Sequence, residues 1–203
     1  MFYCIAILMG YLLGCSNMAL YLAKARGVDL REGGSGNLGA SNAAILLGWR
    51  AAVLVALHDI GKAVLAVILA RVLFPETEFI GVVAGVAAVL GHMFPVFMKF
   101  RGGKGFASFI GMMFALNWVA ALAILGMAIL LTVITDYLVL GTTLTVIAFP
   151  AWEALTAHSV IPALVMLVVS AVIIFKHRKN YVRIWNRTEI GLRSTIRGEH
   201  RVK

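Results

Sequence analysis

The sequence is short of charge, cysteine and basic residues at its start, and each scarcity narrows what the chain can be. Charged residues make up 13% of its 203 positions and hydrophobic ones 62%, where a soluble domain carries about a quarter charged. That excludes a soluble globular domain and places the chain in a bilayer. The two cysteines, Cys4 and Cys15, sit about 16 Å apart on a helix rising 1.5 Å per residue, beyond disulfide reach. They read as small apolar fillers. No Lys or Arg precedes Lys24, so although Leu12-Leu13-Gly14-Cys15 loosely resembles a lipoprotein cleavage site, the positive n-region of a signal peptide is missing. Phe2 to Ala23 reads as a retained first span. There is no Gly/Ser-rich or Pro-rich linker, no inverted repeat of the transporter kind, and no His, Cys and carboxylate spacing of a metal site. No cofactor is implied.

What is abundant is apolar length and positive charge. Apolar runs cover Phe2 to Ala23, Ala43 to Phe74, Phe79 to Met98, Phe106 to Thr135, Leu138 to Trp152 and Val160 to Phe175. The fourth would be about 45 Å as one helix, too long for a 30 Å core, and Asn117-Trp118 offers a break. The expectation is therefore an all-α polytopic membrane protein with about seven transmembrane helices, in one integral-membrane domain over residues 1–203. Positive charge follows spans one, three and seven: Lys24, Arg26 and Arg31; Lys99, Arg101 and Lys104; then the stretch 176–203, which holds nine basic residues against Glu189 and Glu199. With seven spans all three fall on one face, and the positive-inside rule puts the N-terminus outside and the basic tail in the cytoplasm. Beside a hydrophobic span, such a tail reads as a cytoplasmic contact with anionic lipid rather than with nucleic acid.

Three polar constellations share that face. The first, Gly33-Gly34-Ser35-Gly36-Asn37-Leu38-Gly39-Ala40-Ser41-Asn42, frees several backbone N–H groups to point at one place before a helix start, an arrangement suited to an anion; the competing reading is a tight turn with Ser41 or Asn42 as N-cap. The second brackets a lysine: Gly102-Gly103-Lys104-Gly105. It suits a phosphate but is not a Walker loop, since Met98 stands where that loop needs glycine and Gly105 where it needs Ser or Thr. A plain turn with an interfacial lysine is the alternative. The third is His177-Arg178-Lys179-Asn180, where His177 and Asn180 share a helix face and Tyr181, Ile184 and Trp185 continue an interfacial stripe. Within the second apolar run, Asp59 and Lys62 are costly if they face lipid and must face the bundle, as a structural bridge or as substrate contacts; His58 and His92 are open between interior and site roles.

These motifs in this order resemble the bacterial acyl-phosphate:glycerol-3-phosphate acyltransferases, the PlsY family. The resemblance covers essentially the whole chain and is carried by Gly91-His92-x-Phe94-Pro95-Val96-Phe97 through Gly102-Gly103-Lys104-Gly105, by Gly34-Ser35-Gly36-Asn37-x-Gly39-Ala40 and by His177-Arg178-x-Asn180; Asp59-x-x-Lys62 fits too. It implies transfer of a fatty acyl group from acyl phosphate to the 1-hydroxyl of glycerol 3-phosphate, giving lysophosphatidic acid and phosphate in phospholipid biosynthesis, in the bacterial inner membrane with the site on the cytoplasmic face. Acyl-CoA and acyl carrier protein are not used, consistent with the absence of any His-x4-Asp pair. The implied catalytic residues are His177, Asn180 and Ser35; Gly36, Asn37, Ser41, Asn42, Gly102, Gly103, Lys104 and Gly105 are the implied phosphate binders; Asp59, Lys62, His92 and Glu189 are structural or substrate-side. The expected partners are the two substrates and membrane lipid, with no nucleic acid, and the expected state is a monomer. Ile45 stands where the family usually carries Arg, and the tail reads Arg187-Thr188-Glu189-Ile190-Gly191 where the family has Gly-Thr-Glu-x-Lys. A relative with altered substrate and a small-anion transporter are the competing readings.

Overall fold

A computed structural model describes residues 1–196; Arg197, Glu199, Arg201 and Lys203 of the basic tail lie outside the described residues. Among these there are only helices and connecting turns, as a bilayer requires of a chain that must satisfy its own backbone. The helices are α1 (Phe2–Cys15), α2 (Met18–Ala25), α3 (Ala40–Leu47), α4 (Trp49–Leu73), α5 (Ile80–Met93), α6 (Phe106–Leu116), α7 (Trp118–Thr135), α8 (Leu138–Thr156), α9 (Ile161–Lys176), α10 (Arg178–Trp185) and α11 (Leu192–Ile196). They form two compact units that divide between Leu116 and Asn117.

The helices are broken where the sequence gives the backbone an alternative. Ser16 and Asn17 separate α1 from α2, and the Asn17 side chain caps α2 by accepting from Leu20 N at 2.8 Å. Asn117 caps α7 the same way, through Ala120 N at 3.1 Å, splitting the long fourth run. Gly48, at φ 86°, ends α3 and starts α4, in a backbone region that favours glycine. Five helical segments are long and apolar enough to cross a membrane: 2–25, with α1 and α2 together; α4; residues 80–98; α7; and α8. A sixth is α9 with α10, bent by 47° at His177. The short apolar helix α6 has 11 residues and rises only about 16 Å, half a hydrocarbon core.

In the first unit, small residues let backbones touch. A Cβ on Gly10 or Gly14 of α1 would lie 2.3 and 2.1 Å from the carbonyl oxygens of Ala84 and Ala88 on α5, and one on Gly91 of α5 would lie 2.2 Å from that of Tyr11. Gly111 sets α6 equally close against Ile60 of α4. Close contact of small residues is how helices associate where lipid tails compete for every apolar side chain. The buried stripe of α4 (Val55, Asp59, Lys62, Ala63, Ala66, Ala70) keeps to one face by i, i+3 and i+4 spacing, while Leu57, Leu54 and Val72 are exposed as lipid-facing residues are. In the second unit, Gly141 of α8 meets Thr132 and Ala128 of α7. Thr143 of α8 reaches the Tyr181 hydroxyl of α10 at 2.6 Å.

Candidate active site

The first glycine loop is built around one side chain. Asn42, fully buried, accepts from Ser35 N at 2.8 Å and donates to Leu30 O at 2.7 Å and Gly33 O at 3.2 Å. Gly34, at φ 57°, has no room for a Cβ, which would lie 2.2 Å from the Asn42 amide oxygen. Leu30 and Leu38 anchor both ends of the loop in an apolar cluster with Ala19, Ala23, Ala43 and Val55. This leaves Ser35, Gly36 and Ser41 exposed and Asn37 half-buried. Ile45 packs its Cγ2 toward Gly34, an apolar wall where an arginine would bring charge.

The second loop folds back onto the end of α5. Gly102 N donates to Met93 O at 3.2 Å and Gly103 N to His92 O at 3.1 Å. A Cβ on Gly102 would sit 2.1 Å from His92 O, and one on Gly103 2.1 Å from His92 Nε2, so these two glycines are required by contact. Gly105, at φ 95°, turns the chain into α6. The three-residue 3-10 turn Val96–Met98 that precedes the loop drops Met98 into the cluster holding Leu30 and Leu38. Both glycine loops are therefore tied to the same apolar cluster within the first unit.

Beneath the second loop lies a buried polar network. Lys62 Nζ is 2.9 Å from Asp59 Oδ1, 2.8 Å from His92 Nδ1 and 2.8 Å from Ser16 O. Asp59 Oδ1 is also 3.3 Å from His92 Nδ1. Ser16 Oγ bonds His58 Nε2 at 3.0 Å. Asp59 and Lys62 thus pair with each other, and His92 is an interior member of the same group. A cavity of about 660 Å³ opens beside it, lined by Leu12, Leu13, Leu65, Ser16, His58 and Lys62 among others. Ser16 was not a candidate from sequence. The polar pair Ser16-Asn17 inside an apolar run was the signal available.

In the second unit, His177 caps the junction of α9 and α10 and is 7% exposed. Its Nδ1 lies 2.8 Å from Ile173 O. A carbonyl only accepts, so Nδ1 carries a proton and donates it there. Asn180, also buried, is held by Glu189: Asn180 Nδ2 donates to Glu189 Oε1 at 2.5 Å, and Arg183 Nε to Glu189 Oε2 at 2.5 Å. The turn through Arg187 (φ 56°) returns the chain, with Thr188 and Glu189 N both donating to Arg183 O. Gly191 is a further contact glycine, since a Cβ there would lie 1.9 Å from Asp136 Oδ2; Leu192 N and Arg193 N donate to Asp136. Among the described residues no group of three or more His, Cys, Asp or Glu is placed to hold a metal ion.

A family model described as glycerol-3-phosphate acyltransferase matches residues 4–187. The chain belongs to the glycerol-3-phosphate acyltransferase family. The glycerol-3-phosphate acyltransferase 1 of Oceanobacillus iheyensis is 36% identical, with 96% of this chain and 97% of the relative covered; that of Myxococcus xanthus is 37% identical, with 90% and 96% covered. A crystal structure of PlsY, an integral membrane glycerol 3-phosphate acyltransferase, in its glycerol 3-phosphate form superposes with a TM-score of 0.87 at 32% identity, covering 94% of this chain and 95% of that one. Its lysophosphatidic acid form gives 0.80 at the same identity over 93% of this chain. This chain is accordingly an acyltransferase with an integral-membrane helical fold.

Proposed function

We propose that this chain transfers a fatty acyl group from acyl phosphate to the 1-hydroxyl of glycerol 3-phosphate, releasing lysophosphatidic acid and phosphate, and that the whole chain serves as one catalytic domain. The observation that carries the reading is the match over 94% of the chain to a protein solved in both a glycerol 3-phosphate and a lysophosphatidic acid form, the acceptor and the product of that reaction.

An acyl phosphate is a mixed anhydride with a good leaving group, so no covalent acyl-enzyme is needed. The acceptor hydroxyl oxygen attacks the acyl carbonyl carbon, the bond from that carbon to the phosphate oxygen breaks, and phosphate departs. The protein's work is to hold two phosphate-bearing molecules together and to take one proton, and positioning with fixed donors supplies several kcal/mol toward both. We assign phosphate binding to the Asn37 amide with the exposed hydroxyls of Ser35 and Ser41, and to Lys104 with the Gly105 amide; the Gly36, Gly102 and Gly103 amides, expected as phosphate donors, are turned to Gly33 O, Met93 O and His92 O and shape the loops instead. Asn42 shapes the first loop from below, its amide committed to Leu30, Gly33 and Ser35. His177 Nε2 takes the hydroxyl proton, and Asn180, clamped by Glu189, orients the histidine or the substrate. Apolar helix faces keep the acyl chain in the membrane while basic residues draw both anions to the water boundary.

We further propose a monomer in the bacterial inner membrane, N-terminus outside, with the site and the basic tail cytoplasmic. This topology counts α6, short as it is, as a crossing. Against the transporter reading, the buried Lys62 ammonium is paired with Asp59 and donates to Ser16 O. The test is purified protein with palmitoyl phosphate and glycerol 3-phosphate, followed by mass spectrometry. Lysophosphatidic acid forms and phosphate is released, palmitoyl-CoA fails as donor, and proteoliposomes show no phosphate flux; flux without product would replace this reading by the transporter.

A further inference from the structure

We infer that Asp59, Lys62 and His92 are positioning residues for acyl transfer, a buried brace that holds the Gly102–Gly105 loop where Lys104 meets phosphate. The inference rests on the assignment of Lys104 to a substrate phosphate.

The three side chains are 1%, 6% and 3% exposed, in helices that cross a membrane, where charged groups are costly unless paired. An ammonium has three hydrogens and no lone pair. Lys62 Nζ donates to Ser16 O at 2.8 Å, lies 2.8 Å from His92 Nδ1 and pairs by charge with Asp59 Oδ1 at 2.9 Å. His92 Nδ1 faces both Lys62 Nζ at 2.8 Å and Asp59 Oδ1 at 3.3 Å, which leaves Nε2 on the other edge of the ring. That edge of the ring is the one against which the loop is pressed: a Cβ on Gly103 would lie 2.1 Å from Nε2. The backbone of the same histidine takes the second hold, since His92 O accepts from Gly103 N at 3.1 Å. Both the ring and the carbonyl of His92 therefore set the position of the residue next to Lys104. The ring cannot rotate without breaking the Lys62 contact, and Lys62 cannot move without abandoning Asp59 and Ser16. A cheaper way to fill this space is apolar packing, because replacing a buried ion pair by well-packed hydrophobic residues is often neutral or stabilising. What apolar packing lacks is a directional hold on one ring orientation.

Full-length protein in nanodiscs separates this role from a merely structural one through KM, which does not depend on how much enzyme is folded. Lys104→Ala raises KM for one of the two phosphate substrates by about tenfold or more, as loss of a hydrogen bond to a charged group does. Asp59→Asn and His92→Leu raise KM for that same substrate by about 3- to 30-fold and leave the other within about twofold. His92→Asn, whose amide takes the place of Nδ1 against Lys62 and Asp59, returns KM to within about threefold of wild type. Should Asp59→Asn fail to fold, Gly103→Ala, whose methyl drives into His92 Nε2, carries the same expectation. Normal KM values for both substrates in the brace variants, with Lys104→Ala still shifted, overturn the brace. Unchanged KM values in Lys104→Ala overturn the phosphate assignment, and the brace with it.

Discussion

His177→Ala lowers kcat for lysophosphatidic acid formation by about 10²- to 10⁴-fold, the range for loss of a general base, and leaves both KM values within about threefold. The expectation comes from the hydrogen bond of the ring. Nδ1 donates to Ile173 O at 2.8 Å, so of the two ring nitrogens Nε2 is the one assigned to take the hydroxyl proton. The 47° bend between α9 and α10 places that ring at the end of the apolar span, where a water-borne hydroxyl can meet it. Asn180 and Glu189 form a fixed pair on the segment that follows. Product formation measured by mass spectrometry at saturating substrates decides the matter. A rate near wild type eliminates the base role and assigns the proton to the donor's own phosphate oxygen.

Lys104→Ala reduces kcat/KM by about 10- to 100-fold, corresponding to the 1.5–3 kcal/mol of a hydrogen bond to a charged group. Lys104→Arg recovers part of this, since the charge returns on a side chain of different reach and shape. The glycines beside it do not stand in for it: Gly102 and Gly103 have their own N–H groups turned to Met93 O and His92 O, and none carries charge. Steady-state kinetics with each substrate varied in turn shows which phosphate it holds. Identical kcat and KM in the variant would remove this loop from the site.

Much of this was legible in the sequence because it depended on local chemistry. The break at Asn117 was visible as a polar residue inside an overlong apolar run, and the capping bond to Ala120 N is what that residue type offers. The Asp59–Lys62 pair was readable from its i, i+3 spacing on a helix. Other features escaped because they join distant positions or use groups that leave no periodic trace. The contact of Lys62 with His92 spans thirty residues, and that with the Ser16 carbonyl spans forty-six; a backbone oxygen has no residue signature. Asn42 looked like a helix cap or a phosphate ligand, yet its amide closes the loop onto Leu30, Gly33 and Ser35. The run from Ala43 to Phe74 read as continuous, whereas Gly48 at φ 86° divides it into α3 and α4. Glycine's freedom at one dihedral is invisible to hydropathy. Gly102 and Gly103 read as phosphate binders, and in the fold they are set close against His92 with their N–H groups turned to Met93 O and His92 O.

The central claim is that two glycine loops tied to one apolar cluster grip substrate phosphate. Solid-state NMR of ¹⁵N-labelled protein in proteoliposomes, with glycerol 3-phosphate and a non-transferable acyl phosphonate bound, measures it through ³¹P–¹⁵N dephasing. The account predicts a phosphorus within about 4 Å of the Lys104 ammonium nitrogen, as hydrogen-bond geometry requires, with that signal lost in Lys104→Ala, and a phosphorus equally near an amide of the Ser35–Asn37 loop. Bound ligand whose phosphorus dephases neither the Lys104 nitrogen nor any amide of the Ser35–Asn37 loop would contradict it.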